Sequence, residues 1–393
     1  MTPEFLRTGA PAAVLRALPG ARAVGGAVRD FLAGKPIHDV DVAVARPPEE
    51  AARLLRAAGL KVFETGLKHG TVTAVLDGVP VEVTSLRRDV VTDGRHAEVE
   101  WTGDWGEDAA RRDFTINAMS MGVDGALHDY FGGRDDLEAG RVRFVGVAAE
   151  RLAEDYLRAL RFFRFWARYG RGEPDCAAVA AIRDAVPGLA RLSVERVWME
   201  LKRLLAAEDP REALQLMAGT GVLAAVLPSF DLMQFTRLLE AGAPADPLLR
   251  FGALIPDDVL AASVARPLKM SGEEERRLGD MRHSQAAMSP CIDDVALVAR
   301  LADQGVAIAS DRSWYAEARD GISRSALRSR IALARVPPFP VTGKDALAEG
   351  FEPGPQLGAA LGQARHWWYE NGTQATKQEV LQKLRELANL PPA

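Results

Sequence analysis

Cysteine is scarce in this chain: of 393 residues only Cys176 and Cys291 are thiols, and they stand far apart. Two isolated thiols exclude a paired CxxC zinc arrangement and give no reason to expect a disulfide framework. Long apolar runs are missing as well. None approaches the roughly 18 to 20 residues that a membrane span needs, so no membrane association is expected. The opening residues, MTPEFLRTGAPAAVLRALPG, lack the basic start, apolar middle and small-residue cleavage pattern of a secretory signal, and the expected location is the cytoplasm. Nor is there an excess of positive charge. The formal net charge is −5, whereas a protein that coats nucleic acid without discrimination shows a basic balance. A local basic stripe is compatible with that total. Histidine numbers only six. The dipeptides His38-Asp39 and His128-Asp129 do not read as a metal phosphohydrolase, because neither sits on an expected helix with further ligands around it.

What the chain does have is length and a change of pattern along it. A polypeptide of 393 residues exceeds one ordinary core, so two to four packed units are expected. From about residue 20 to 145 short strands alternate with helices. HDVDVAVA places Val40, Val42 and Val44 on one strand face and Asp39 and Asp41 on the other. GTVTAVLDGVPVEVTSL reads as two strands joined across Asp77-Gly78, a hairpin dipeptide. PPEEAARLLRAAG has a proline start, an acidic first turn and a terminal glycine, all helix signals. After about residue 146 amphipathic helices follow one another. VAAERLAEDYLRALRFFRFWARYG predicts one long helix ending at Gly170, and SVERVWMELKRLLAAEDP predicts another with Ser193 as N-cap. Proline-rich breaks near 244–256 and 337–355 mark further boundaries. The fold class expected is α+β at the head and all-helical beyond it.

The chemistry concentrates in AVGGAVRDFLAGKPIHDVDVAVA, residues 23–45. Two carboxylates two positions apart on a strand can face one cleft, where their repulsion is costly unless a cation lies between them and a polyanion. Oxygen ligands at this spacing suit Mg2+, which is commonly held by one or two carboxylates plus substrate phosphates. A pair of such ions suits activation of an attacking hydroxyl and neutralisation of a leaving pyrophosphate. Glu82, on a neighbouring expected strand, is a candidate third carboxylate. Taken alone, a DxD reads as a solvated strand face. Its context here is a Gly25-Gly26 turn opening a helix, whose N–H groups can approach phosphate, with the forked cation of Arg29 one turn in.

GGAVRDFLAGKPIHDVDVAV resembles the first motif of class II tRNA nucleotidyltransferases and bacterial poly(A) polymerases, within the polymerase-β-like nucleotidyltransferase superfamily. RRDFTINAMSM (111–121), DYFGGRDDL (129–137) and EDYLRALRF (154–162) resemble their second, third and fourth motifs, in order. The likeness extends through SVERVWMELKRLL to PVTGKDALAEGFEPGPQLGAALGQARHWW near the end, so it covers most of the chain. It implies a polymerase-β-like catalytic head over residues 1–145, a nucleotide-selecting helical neck over 146–205, a helical body over 206–290 and a tRNA-binding helical tail over 291–393, the helical part being elongated. It further implies Asp39 and Asp41 as Mg2+ ligands, Gly25, Gly26 and Arg29 as the triphosphate cradle, and Arg112 with Asp113 in nucleotide and ribose recognition. Asp113 competes with Glu82 for the place of third carboxylate. The GGRDDL turn would be a spring or hinge.

Asp155 and Arg158 lie at i and i+3, the spacing at which two helical residues share a face and present an acceptor beside a donor. Cytosine and adenine both offer an exocyclic amino donor beside an unprotonated ring nitrogen, and guanine and uracil present the reverse. Such a pair accepts C and A without a template, at a penalty of roughly 1–3 kcal/mol for each unmatched buried group. On spacing alone the two residues would equally form an ion pair with each other. Arg161 and Arg164 extend the basic stripe into the cleft. The expected activity is addition of the 3′-terminal CCA of tRNA from CTP and ATP, with the acceptor arm and elbow of tRNA gripped by the helical remainder and a monomer as the expected state. A poly(A) polymerase, an enzyme adding A only, and a noncatalytic RNA-binding module are the alternatives. The ending LQKLRELANLPPA carries no basic extension of the kind polymerases use. The segment between the first and second motifs is full length, unlike that of enzymes adding C only.

Overall fold

The computed structural model of the chain describes residues 2–67, 70–92, 97–283 and 288–387. It divides into two compact units, Met1–Pro228 and Ser229–Ala393.

The first unit begins with α1 (Gly9–Ala17), β1 (Arg22–Val24), α2 (Gly26–Leu32), β2 (Asp41–Val44), α3 (Pro48–Ala57), β3 (Lys61–Gly66), β4 (Thr71–Leu76) and β5 (Val79–Ser85). There follow β6 (Arg87–Thr92), β7 (Ala97–Trp101), α4 (Trp105–Ala110), β8 (Ser120–Gly122), β9 (Leu127–His128) and α5 (Gly133–Ala139). Seven strands form one mixed sheet in the order β3-β4-β5-β2-β1-β8-β9, in which only β2 and β5 run parallel. The β6–β7 ribbon stands apart from it. That ribbon and α4 occupy residues 87–110, the last part of the stretch between the first and second motifs, of which residues 93–96 lie outside the described residues. Asp77 and Gly78 both take positive φ (52° and 80°), the geometry of a two-residue hairpin whose twist matches its strands.

The strand carrying the acidic pair differs from its sequence reading. β2 starts only at Asp41, and Val42, Ala43 and Val44 are all buried, with no alternation. A strand in the middle of the sheet is covered on both faces. α1 packs on β2, with α3 beside α1 on β3, β4 and β5, and Ala43 clusters with Val24, Leu86 and Trp105. Asp39 therefore sits on the extended approach to the strand, and both aspartates reach solvent, although much of the Asp41 carboxyl is surrounded by protein.

The helical part of this unit is α6 (Ala148–Glu154), α7 (Leu157–Tyr169), α8 (Cys176–Ala185), α9 (Val194–Leu205), α10 (Arg211–Gly219) and α11 (Val222–Val226). The long helix expected to end at Gly170 is two helices. Asp155 takes an extended backbone (φ −154°, ψ 105°), and its Oδ1 accepts the Leu157 N–H at 3.1 Å, so the side chain starts α7 as it ends α6. An aspartate that captures a backbone N–H two residues on competes with the helix, and here it wins. Ser193 does precede α9, but its hydroxyl makes no capping bond there. The apolar face of α7 is what joins it to the head. Phe162 stacks on Phe144 at 6.1 Å and Phe165 meets Phe114 edge-on at 5.2 Å, all four being buried. Each such ring removed from water contributes about 1.5–3 kcal/mol, which fixes the opposite, arginine-bearing face towards the cleft.

The second unit is all helical: α12 (Leu232–Glu240), α13 (Pro247–Leu254), α14 (Ala261–Ala265), α15 (Gly272–Arg282), α16 (Asp294–Asp320, kinked at Gly305), α17 (Ser325–Leu333), α18 (Gly343–Ala348), α19 (Pro355–Glu370) and α20 (Lys377–Leu387). Trp368 lies in its core and donates its indole N–H to Ala375 O at 2.8 Å, while Trp367 is partly buried against the same cluster. Among the described residues no helix is long and apolar enough to cross a membrane.

Candidate active site

Register brings the acidic residues together. Val24 pairs with Asp41 across β1 and β2, so the Gly25-Gly26 turn leaves β1 beside the start of β2. On the other side Val42 pairs with Val83, which sets Asp41 next to Glu82 on the same face of the sheet. The Asp41 carboxyl is raised above its ordinary range, first by burial, then by the charge of Glu82 and of Asp39, against the lowering effect of Arg112. Three carboxylates that resist sharing one place are a site short of positive charge.

The cleft in front of them has a volume of about 750 Å³. Gly25, Gly26, Arg29, Asp39, Asp41, Arg112, Asp113, Asp155, Arg158, Arg161 and Arg164 all line it. Of the residues expected at the site, Glu82 alone is not on its wall. Asn117, Arg196 and Arg203 line it too and were not singled out from the sequence.

Gly25 takes φ +65°, and a Cβ there would come within 3.0 Å of Arg112 Nη1. The turn thus needs glycine for both its backbone and the cation beside it. Arg29 is buried against α7: its Nε and Nη2 donate to Asp30 at 3.0 Å, its Nη1 donates to Asn117 Oδ1 at 2.5 Å, and the guanidinium lies over the Tyr169 ring at 4.6 Å. Arg112 is held from behind by Asp108 at 3.2 Å. Burial raises the Asp108 carboxyl, but Arg111 and Arg112 more than offset this and hold it below the usual range.

Asp113 is buried and satisfied on all sides. Oδ1 accepts the Phe114 N–H at 2.9 Å and Asn117 Nδ2 at 3.0 Å, and Oδ2 accepts Arg161 Nε at 2.7 Å and pairs with its Nη2 at 2.5 Å. Burial raises its carboxyl, yet Arg161 and these donors bring it net below the ordinary value. With its lone pairs taken by four donors, Asp113 has little left for a cation. Arg164 is desolvated and brought down to about 10, still charged near neutrality, with Glu200 2.7 Å away as its ion-pair partner. The same buried Glu200 pairs with Arg203 at 3.1 Å and lies 3.9 Å from Arg161.

The expected base-reading pair does not share a helix face, because Asp155 lies in the break between α6 and α7. Arg158 instead donates to Glu154 at 2.5 Å and to the Arg151 carbonyl at 3.0 Å, while Asp155 Oδ2 accepts from Arg196 of α9 at 2.6 Å. Each member is therefore oriented by its own partner, and both face the cleft. Asn117 and Arg196 left only a weak trace in the sequence: each lies inside a quoted motif, yet neither stands at a spacing that marks chemistry.

The DYFGGRDDL segment is a tied turn. Asp129 accepts the N–H groups of Phe131, Gly133 and Arg134, and buried Asp136 takes the Thr115 hydroxyl at 2.6 Å with Arg141 and Arg143. A Cβ on Gly133 would meet Thr115 O at 2.2 Å. Among the described residues no group of three His, Cys, Asp or Glu forms a metal cage.

Residues 21–143 match the family described as "Poly A polymerase head domain" and residues 174–233 that described as "Probable RNA and SrmB- binding site of polymerase A". The mouse mitochondrial CCA tRNA nucleotidyltransferase 1 is 37% identical over 387 residues, 93% of this chain and 86% of that protein. The CCA-adding enzyme of Geobacillus kaustophilus is 43% identical over 203 residues, 51% of this chain and 49% of that one. Among solved structures, the Bacillus stearothermophilus CCA-adding enzyme in complex with CTP superposes with a TM-score of 0.77 at 28% identity, covering 98% of both chains.

Proposed function

The chain belongs to the CCA-adding tRNA nucleotidyltransferases, and from that premise we propose which residues of the cleft perform each part of the reaction. The enzyme adds or repairs the 3′-terminal CCA of tRNA from CTP and ATP and releases pyrophosphate. One observation carries the assignment: the acidic pair of β2 and the arginine face of α7 line the same cleft, with the glycine turn between β1 and α2 alongside.

Asp39 and Asp41 are the proposed ligands of a divalent cation, with Glu82 completing the acidic group. Their donor set fits Mg2+: two hard carboxylates, one of them destabilised by like charge, and no protein cage that would replace the phosphates of a substrate. When bound, the ion supplies charge neutralisation at the attacked phosphate and the departing pyrophosphate. The chain's own groups do the rest. The N–H of Gly26 and the side chain of Arg112 face the triphosphate, while the Gly25 N–H is donated to Met119 O at 3.2 Å; Arg29 fixes Asn117, which in turn holds Asp113. Arg161 and Arg164 line the nucleotide's path along α7. Asp113 is placed here as an orienting group for Arg161, and ribose recognition falls to the surface they form together. Asp155 and Arg158 present an acceptor and a donor to the base, locked by Arg196 and Glu154.

The helical unit Ser229–Ala393 is the proposed grip for the acceptor arm and elbow of tRNA, with a monomer as the working unit and the cytoplasm as its place. Purified protein given tRNA trimmed before CCA, Mg2+ and each nucleotide in turn tests this. Two C additions, one A addition and arrest are expected. Unlimited A addition would point to a poly(A) polymerase, and binding without incorporation to a noncatalytic module.

A further inference from the structure

A second cleft, of about 490 Å³, opens where α2 and α7 end beside α5. Lys35, Arg134, Arg168 and Arg171 line it, with Glu138 as its one acid and Tyr169 in its wall. Two of the four cations are already engaged. Arg134 pairs with Glu138 at 3.1 Å, and Arg171 donates to Glu138 O at 2.7 Å and to Leu137 O at 3.3 Å, closing the last turn of α5. Gly140 makes this possible, since a Cβ there would overlap the Arg171 side chain at 2.6 Å. Lys35 and Arg168 are different: neither has an acidic partner among the described residues, although both face the same space. The Lys35 ammonium lies 5.2 Å from the centre of the Tyr169 ring, so its nearest stabilisation is a neutral π-face. Arg168 is exposed. Arg168, in the last turn of α7, gains something from the helix dipole, but only about 0.3–1 kcal/mol, and Lys35 lies beyond the end of α2. Two uncompensated like charges across one concave space are relieved by an anion.

We propose that this cleft is a second phosphate-binding site, separate from the nucleotide cleft, which takes a phosphate-class anion between Lys35 and Arg168. The anion is either a phosphodiester of the RNA substrate or free pyrophosphate of the kind the reaction releases. Tyr169 links the two clefts. Its hydroxyl bonds Asp30, Asp30 holds Arg29, and Arg29 lies on the wall of the nucleotide cleft.

The RNA arm rests on the proposed function, and the pyrophosphate arm does not. The variant is Lys35→Gln with Arg168→Gln, compared with the charge-keeping Lys35→Arg with Arg168→Lys, each verified by an unchanged melting curve. Calorimetric titration of the full chain with pyrophosphate in divalent-free buffer reads the number of sites. Anisotropy of labelled trimmed tRNA between 50 and 200 mM salt reads the RNA arm, and both salt points are set by the steepness expected of phosphate contacts. A backbone phosphate predicts roughly tenfold weaker tRNA binding in the Gln variant and a salt slope shallower by about 0.7 per lost contact, with KM for tRNA raised and KM for CTP unmoved. Free pyrophosphate predicts one binding site fewer with tRNA affinity unchanged. The charge-keeping variant should behave as the parent in either case. If the Gln variant retains both its site number and its tRNA affinity, the proposal is overturned, whatever the enzyme's nucleotide preference proves to be.

Discussion

Replacing Asp41 by asparagine should stabilise the divalent-free protein while abolishing its catalysis. Asp41 is flanked by Asp39 on its own segment and by Glu82 on the adjacent strand, and burial together with both charges raises its carboxyl. Like charges on neighbouring strand positions cost about 0.2–1 kcal/mol each. Removing the central charge relieves two such terms and forfeits one attraction, that of Arg112, which leaves a net gain of about 0.2–1 kcal/mol. For a unit of this size that is at most about 2–4 °C in melting temperature. The dependence on pH has a definite sign. A carboxyl raised in the folded state binds its proton more tightly there than in the unfolded chain. Its destabilising effect is fully present above the folded value and disappears as pH falls below the unfolded one. The advantage of Asp41→Asn should therefore be largest near neutrality and shrink towards acid pH. Adding Mg2+ reverses the order. A ligand at a hundredfold excess over its dissociation constant stabilises by about 2.7 kcal/mol, and only the parent should gain it. Differential scanning fluorimetry with EDTA and with Mg2+, at several pH values, reads all of these. An Asp41→Asn protein that melts lower than the parent in EDTA, or that keeps the Mg2+ shift, refutes the reasoning.

Other substitutions probe the frame around the pair. Asp113→Asn strips the carboxylate from a buried pair whose other member, Arg161, is 30% exposed; against the about 3–5 kcal/mol of a fully buried pair, a loss of about 2–3 kcal/mol is expected in urea unfolding. Because its folded carboxyl lies below the unfolded value, the stability Asp113 provides is present above that unfolded value and lost as pH falls through the folded one, so the variant's deficit should vanish only in strong acid. Gly25→Ala forces a side chain into positive φ and against Arg112, at a cost of about 1–3 kcal/mol of strain; kcat/KM for CTP and ATP should fall together. Arg196→Ala leaves Asp155 without its orienting partner, and loss of one matched group at about 1–3 kcal/mol predicts a ten- to hundredfold fall in discrimination of C and A against U and G, read from single-nucleotide incorporation.

The legible parts of this molecule are those decided locally. A proline with acidic residues behind it starts α3, Asp77-Gly78 turns β4 into β5, and the glycine pair opens α2, because each depends on φ preferences and caps that operate within a few residues. The cleft's membership was legible for a related reason: its residues fall in short segments, and two of them, the β2 approach and α7, carry five of its eleven charged side chains. The misreadings came from long-range terms. The two-sided burial of β2 depends on α1 and on the cluster of Val24, Leu86 and Trp105, which periodicity within HDVDVAVA cannot register. The break at Asp155 sets a side-chain bond to the Leu157 N–H against a helical pattern that runs across it unbroken. Glu82 was read correctly as a neighbour of Asp41, but its place off the cleft wall depends on strand order. Arg196 and Glu200 act from α9 only after α7 and α9 have packed.

The charge balance of the cleft explains how an acidic protein handles polyanions. Seven arginines line it against four aspartates, which looks like a surplus for a triphosphate. Yet all seven have an acid behind them: Asp30 for Arg29, Asp108 for Arg112, Glu154 for Arg158, Asp113 for Arg161, Glu200 for Arg164 and Arg203, and Asp155 for Arg196. Asp108, Asp113 and Glu200 are buried, so they fix guanidinium orientation at folding and leave no reorganisation for the moment of reaction. Counting Asp30, Asp108, Glu154 and Glu200 with the four aspartates of the wall, acids outnumber the arginines by one. What remains is a directional field with little net positive charge, and its most electron-rich point is the group formed by Asp39, Asp41 and Glu82. Under the assignment proposed above, a triphosphate binds strongly only with cations at that point, and cations stay there strongly only with a triphosphate. Each raises the affinity of the other by the same factor, as linkage requires, and the arginines supply orientation to an association whose strength comes from that pairing.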